Sequence, residues 1–268
     1  MRACGRPARF GRMTAKARWR VRAEVGVQEG PWQSVLPVGD AAILLEFGDR
    51  VEIAVNERVH RVARAAHRLI EHGKLPGVWG AIPSYATLLI EFDPLTIERS
   101  EILARLRTHL ATAQEETSPS RRFLVPVWYA GEDLTDVAER TGMSTDRVVE
   151  LHTSRDFRIF TVGFAPGQPL CGILPDALRL PRRGAPRSAV PAGSVAIAGQ
   201  QVTIYPIASP GGWHLLGRTP ALPFRAARRS PVLWSPGDMM RFYAIDRVRY
   251  EELAAASAAG EEWLCASA

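Results

Sequence analysis

Apolar positions in the first part of the chain follow two different periods. Over 41–47, 78–82 and 85–92 they form short, nearly continuous runs, which predict strands. Between the first two runs, Val55, Val59, Val62, Ala66 and Leu69 recur at spacings of three and four, the apolar face of a helix over 51–71. Gly73 and the Pro76-Gly77 turn end it. Ile102, Leu103, Leu106 and Leu110 predict a second helix, and 122–129 a further strand. The order β-α-β-β-α-β predicts a ferredoxin-like α/β sandwich. Residues 133–153 then read as two short helices around Gly142. A DNA-reading helix needs groove-facing Arg, Lys, Asn or Gln, and 143–153 offers only Arg147, flanked by Asp146 and Glu150. The pair is therefore read as a packing hairpin.

From 156 onward the period shortens to strands broken by Gly and Pro, and more than half of the 20 prolines lie between Pro166 and Pro236. Runs at 194–198 and 201–205 flank Gly199-Gln200 as a hairpin, and 213–216 and 239–244 are further strands. Many short strands with regular turns predict a β-barrel. A last helix is expected over 248–264. The overall class is α+β, organised as a basic tail over 1–32, an N-terminal α+β domain over 33–118, a barrel domain over 119–246 and a helical tail over 247–268.

Composition narrows the class. With 46% hydrophobic and 23% charged residues the chain matches an ordinary globular protein. No run approaches the roughly 18 apolar residues that span a membrane. Cys4, Cys171 and Cys265 are scattered, with neither a disulfide framework nor a CxxC pair, which points to a reducing, cytoplasmic setting. The net charge of +6 resides entirely in residues 1–30, where eight basic side chains face Glu24 and Glu29. That segment is read as a disordered tail, without the apolar stretch of a secretory signal. The neutral body offers no basic face, and no nucleic-acid partner is expected.

Only two lysines occur, Lys16 and Lys74, and there is no GxxxxGK[ST] phosphate loop, biotin-attachment lysine or GxSxG elbow. Candidate chemistry gathers instead in three Gly/Pro-rich loops, 163–175, 180–199 and 205–220. They carry Arg182, Arg183, Arg187, Ser194, Ser209, Gly212, Trp213 and Arg218, with Gln201 on the intervening strand. Guanidinium forks match the oxygen pairs of carboxylates and phosphates. Arg187 and Arg218 are the candidate catalytic cations; Arg182, Arg183, Ser194, Gln201, Ser209, Gly212 and Trp213 are candidate substrate contacts. His152, at the end of a helix before the glycine loop, is the candidate acid or base. His60, His67, His72 and His109 are read as surface or partly packed residues, and Cys171 as a small buried hydrophobe. No His, Cys, Asp or Glu spacing points to a metal.

These residues carry a resemblance. LPVGDAAILLEFGD, NERVH at 56–60, LPGV, FDPL, GFAPG, PRRGAPR, VPAGSVAIAG, SPGGW and GRTP, spread over 33–246, resemble the allophanate hydrolase subunit 1 family. That family includes the B subunit of bacterial ATP-dependent 5-oxoprolinase, as well as the Kip-type inhibitor of a histidine kinase. The resemblance implies a cyclophilin-like β-barrel after the α+β domain. It also implies partner chains: a C subunit (allophanate hydrolase subunit 2-like), with an A subunit besides. The activity implied is ATP-driven opening of 5-oxoproline to glutamate, with ATP shared with a partner subunit. The alternatives are an allophanate hydrolase or urea-carboxylase-type carboxyltransferase subunit, and a non-catalytic binder of a kinase. Two stretches depart from the family pattern: Gln168 and Leu170 stand at positions usually aromatic, and Gln200 and Val202 where glycine and threonine are common.

Overall fold

The computed structural model of the chain describes residues 30–112, 120–264 and 266–267, so nearly all of the basic tail lies outside the described residues. The first part runs β1 (Ser34–Val38), β2 (Ala42–Glu46), α1 (Ile53–Glu71), β3 (Val78–Pro83), β4 (Thr87–Phe92) and α2 (Arg99–Thr112). The strands form an antiparallel sheet in the order β1-β2-β4-β3. The connectivity is therefore ββαββα, not the expected ferredoxin-like order. Two particulars account for the difference. The half-buried strand β1, SVLPV, carries too weak an alternation to stand out. The strand expected to close the sandwich, β5 (Arg122–Val127), belongs to the other sheet, where Phe123, Val125 and Val127 enter a second core. Periodicity identifies a strand but not the sheet it joins.

Helix α1 buries the predicted face, with Val59, Val62 and Ala66 fully enclosed, and ends before Gly73 at φ 67°. Trp32, grouped with the tail on sequence, is 6% exposed and packs in this first core under the Arg107 guanidinium, 5.5 Å from its ring centre.

The remaining chain adds α3 (Leu134–Thr141), α4 (Thr145–Thr153), β6 (Phe157–Val162), β7 (Pro169–Gly172), β8 (Arg187–Val190), β9 (Ser194–Ala198), β10 (Gln201–Ile204), β11 (Ser209–Gly211), β12 (His214–Arg218), β13 (Met239–Ala244), α5 (Arg247–Ala259) and β14 (Ala266–Ser267). Eight strands form one sheet in the order β12-β9-β10-β7-β6-β13-β5-β14. Reciprocal backbone bonds between Trp128, just past β5, and Arg218, the end of β12, at 2.8 and 2.9 Å nearly close it into a barrel. Its core includes Phe157, Ile197, Ile204, Trp234 and Phe242. Strands β8 and β11 pair as a separate two-stranded ribbon.

The hairpin α3–α4 forms as expected, with Gly142 at φ 67° ending one helix and Ser144 capping the next. Helix α5 is shorter than expected. Gly260 takes φ 97°, and the chain turns back to pair as β14 with β5.

Candidate functional site

The arginine loop and the ribbon are held by one carboxylate. Asp133, at the start of α3, is 2% exposed, and its Oδ2 accepts from the Leu215 backbone N–H at 2.8 Å. Its Oδ1 accepts from Arg183 Nη1 at 2.5 Å and Arg187 Nη2 at 2.7 Å. Arg187 Nε donates to Glu132 at 3.2 Å. Burial pushes the Asp133 carboxyl upward, but the bonds from Arg187 and Leu215 and the two guanidinium charges outweigh it and hold the group below its ordinary value. Arg183 and Arg187 thus have their counter-charge within the fold. They strap the loop to α3, and each keeps one buried donor, Arg183 Nε and Arg187 Nη1, with no hydrogen-bond partner among the described residues. His214, fully buried, donates from Nε2 to the Pro181 carbonyl at 2.9 Å and fixes the same loop from beneath.

Arg182 is different. It is exposed, and its guanidinium lies 5.8 Å from the ring centre of Trp213, which packs with Tyr205 and Leu215. The ribbon reaches this cluster through Gly211, where a Cβ would run into the Tyr205 hydroxyl. Ser209 and Gly212 lie on the same ribbon and turn: the Gly212 carbonyl accepts from Arg183 N at 2.8 Å, and Ser209 Oγ is buried with no hydrogen-bond partner among the described residues. Arg182, Arg183, Arg187, Ser209, Gly212 and Trp213 are therefore brought together.

Three candidates are not. Ser194 is 2% exposed within β9. Arg218 stands at the far end of β12, about 13 Å of strand from His214, where it donates to the Ala192 carbonyl at 3.2 Å and lies over Tyr250 at 5.9 Å. His152 is wholly enclosed between Phe242, Phe157 and Tyr129, with ring centres 4.6 to 5.7 Å away. Its Nδ1 lies 2.7 Å from the Tyr129 hydroxyl, and burial pushes the imidazole down to about 3. The ring therefore packs in an aromatic core and faces no open surface, and its Nε2 has no hydrogen-bond partner among the described residues. Cys171 is also fully buried, and burial raises its thiol. Gln168, at the usually aromatic position, is 4% exposed and donates to Thr203 Oγ1 at 3.2 Å, which places its polar end on a built-in partner.

Sequence reasoning passed over a second polar centre, where α1 meets the barrel. A bulge in β6 lies between Ile159 and Thr161. The Phe160 carbonyl there accepts from Asn56 Nδ2 at 3.3 Å and His60 Nε2 at 3.2 Å. Asn56 is fully buried and His60 is 5% exposed. Burial, with the charge of Arg158 beside it, lowers His60 to about 4, so the ring is neutral with its proton on Nε2. Tyr85, on the loop between β3 and β4, lies 5.6 Å from the Phe160 ring. The signal was the i, i+4 pair of Asn56 and His60 within NERVH, two polar side chains on the apolar face of a helix.

Among the described residues no group of three or more His, Cys, Asp or Glu side chains is arranged to hold a metal, and no helix is long and apolar enough to cross a membrane.

A small α/β layer docked on a nearly closed, barrel-like sheet fits a cyclophilin-like architecture and defines a two-part module rather than a stand-alone barrel. Residues 33–234 match the family model for the carboxyltransferase domain, subdomain C and D, and the chain belongs to that family. It is 40% identical over 212 residues to the B subunit of 5-oxoprolinase from Escherichia coli O157:H7, covering 76% of this chain and 93% of that protein. It is 34% identical over 227 residues to the B subunit of 5-oxoprolinase from Bacillus subtilis (strain 168), covering 80% and 93%. Among solved structures it is similar to TTHA0988, with a TM-score of 0.69 and 38% identity over 76% of this chain, but it spans only 40% of that longer chain. The urea amidolyase of K. lactis shares the fold, at a TM-score of 0.67 and 20% identity.

Proposed function

We propose that this chain is the B subunit of an ATP-dependent 5-oxoprolinase that works in the cytoplasm with partner C and A subunits. The observation that carries the reading is near full-length similarity to two proteins of that name, at 34% and 40% identity. The length of TTHA0988, of which this chain matches two fifths, favours a module that works joined to another. The lactam carbonyl of 5-oxoproline is a poor electrophile. ATP supplies its activation: the terminal phosphoryl group passes to the carbonyl oxygen as its bond to the bridging oxygen breaks, and ADP leaves. Water then adds to the carbon, the C–N bond breaks to free the amine, and a second water releases phosphate and glutamate. The contribution of this chain is orientation. Arg182, exposed above Trp213, offers an open guanidinium fork for the substrate carboxylate, while Arg183 and Arg187 hold the loop that carries it. ATP is assigned to a site shared with the partner subunits.

The family description favours one second reading, a carboxyltransferase component of the urea carboxylase type. Reconstitution with the A and C subunits separates them. The expected outcome is ATP-dependent glutamate formation from 5-oxoproline by the assembled complex, with none by this chain alone. Carboxyl transfer to urea, without glutamate formation, would overturn the oxoprolinase reading.

A further inference from the structure

Successive side chains of a strand point to opposite faces of its sheet. In the N-terminal sheet one set, with Ile43, Leu45, Leu88 and Ile90, packs under α1 and α2 in the first core. The other face of such an antiparallel sheet commonly meets water and is polar. Here its middle is not. The register sets Leu36 opposite Leu44, Leu44 opposite Leu89 and Leu89 opposite Ile82. One unbroken apolar row therefore crosses all four strands, β1-β2-β4-β3, on the face away from the helices. Adjacent strands lie about 4.8 Å apart, so the row is about 14 Å long. Leu36, Leu44 and Leu89 are half-buried and Ile82 is exposed, and none of the four takes part in an apolar core. The barrel meets this domain elsewhere. It touches α1 at Asn56 and His60, and it touches the end of β3 at Pro83, whose carbonyl accepts from Thr161 Oγ1 at 2.9 Å.

Charge narrows what can cover the row. On one side runs the register row of Ser34, Glu46 and Thr87; on the other runs a row that carries Val38 and Glu91. The apolar row thus has a carboxylate on each flank, and none of the four strands contains a Lys, Arg or His. Two copies of this face set together would bring four carboxylates into contact with no cation between them, so a second copy is a poor fit. A helix with an apolar stripe and Lys or Arg along both flanks fits, laid over the sheet as α1 and α2 are laid over the other face. About nine helical residues, at 1.5 Å each, span the row.

We propose that this face is the docking surface for the partner C subunit, which covers the row with such a basic-flanked helix. The identity of the partner rests on the oxoprolinase reading; the chemistry of the contact does not.

The test measures binding of the purified C subunit to this chain, together with glutamate formation once the A subunit is added. Leu44→Arg puts a cation in the middle of the row and should raise Kd about thirtyfold or more. Glu46→Lys combined with Glu91→Lys should raise Kd about tenfold at low salt and much less at about 1 M salt, where exposed charges are screened. Both variants change outward side chains and should keep the melting temperature within a few degrees. Should Leu44→Arg fail to fold, Leu44→Gln takes its place, with about a tenfold rise in Kd expected. If Leu44→Arg and the charge-reversed pair both bind the C subunit within twofold of the unaltered chain, the inference fails, and glutamate formation by the complex leaves the oxoprolinase reading standing. If the chain self-associates and Leu44→Arg makes it a monomer without weakening the C subunit, a second copy holds the face and the inference fails. If removal of residues 1–29 exposes an apolar-dye site that Leu44→Arg abolishes, the face belongs to the chain's own segment and the inference fails. If the variants weaken C-subunit binding but the complex forms no glutamate, the docking surface stands and the oxoprolinase reading fails. A chain that binds no C subunit overturns both.

Discussion

At the ribbon, two arginines converge on one buried oxygen of Asp133; at the junction, Asn56 and His60 converge on one carbonyl, that of Phe160. The first centre is ionic and lies partly at the surface, with Arg183 33% and Arg187 20% exposed. The second is neutral and enclosed. From the sequence the first looked like an anion site, and His60 of the second like a surface or partly packed residue. The contrast shows that a cluster of guanidinium groups signals a ligand only when the fold provides no acid to match. Asp133 lies about 50 residues before Arg183, and no local pattern connects them. A polar residue on an apolar helix face, by contrast, must find a buried partner, because an unmet buried donor costs free energy.

The largest effect that would break the comparison lies at Asp133. Asp133→Ala leaves two guanidinium groups facing each other and the Leu215 N–H without its acceptor. Loss of one member of a buried ion pair costs about 3–5 kcal/mol, and the partial exposure of both arginines puts the expected value at about 3 kcal/mol. Urea denaturation measures it. A loss below about 1 kcal/mol would mean that solvent already screens the pair and that the arginines are free for an anion.

The junction should respond to acid. His60 is lowered to about 4 in the fold, by burial first and then by Arg158, with Arg64 adding to it. The unfolded ring titrates near 6.5, so between pH 6.5 and 4 the unfolded chain binds a proton that the folded chain refuses. Stability is therefore full above about pH 6.5 and declines as pH falls toward 4, by roughly 2–3 kcal/mol from this residue. His60→Gln keeps a donor for the Phe160 carbonyl and should flatten that part of the stability profile. An unchanged slope would assign the acid sensitivity to His152, lowered to about 3 by burial alone.

Gly211 sharpens the ribbon side. A methyl group there meets the Tyr205 hydroxyl, so Gly211→Ala must shift either the ribbon or the ring. Overpacking of this kind costs about 1–3 kcal/mol. Gly212→Ala, whose added Cβ comes no closer than 3.6 Å to Pro186, is the control and should lose less. Equal losses would show that the ribbon yields as one body and that Gly211 has no special contact.

Much of the fold was legible because period and punctuation agree. Helix α1 stops at a glycine, the β9–β10 hairpin turns at Gly199, and α3–α4 turns at Gly142. The N-terminal connectivity was not, because β5 has the period of any strand and joins the barrel through residues more than a hundred positions away, chiefly β13. The ribbon cluster of Arg182, Arg183, Arg187, Ser209, Gly212 and Trp213 was legible from loop composition. The junction of Asn56 and His60 was not, since the Phe160 carbonyl they share lies about a hundred residues further along the chain. His152 misled because a helix-terminal histidine before a glycine loop looks accessible, whereas α4 lies against β13 and encloses the ring.

The smallest effect belongs to Arg218, and it decides where the site lies. Its guanidinium rests over Tyr250, which in turn packs 5.5 Å from Trp128, with Arg247 over the other ring at 6.0 Å. This stack braces the seam where β12 meets the end of β5, away from Arg182. An exposed cation–π contact is worth about 0.5–1 kcal/mol, so Arg218→Ala should lower stability by no more than that. Turnover of the assembled complex should stay within twofold, while Arg182→Ala in the same assay loses its preference for a carboxylate-bearing substrate. The two variants remove the same chemical group from two places on one barrel, so general charge effects cancel between them. If Arg218→Ala abolishes turnover and Arg182→Ala does not, the substrate is held at the closing seam, and the ribbon and the junction serve only to build the fold.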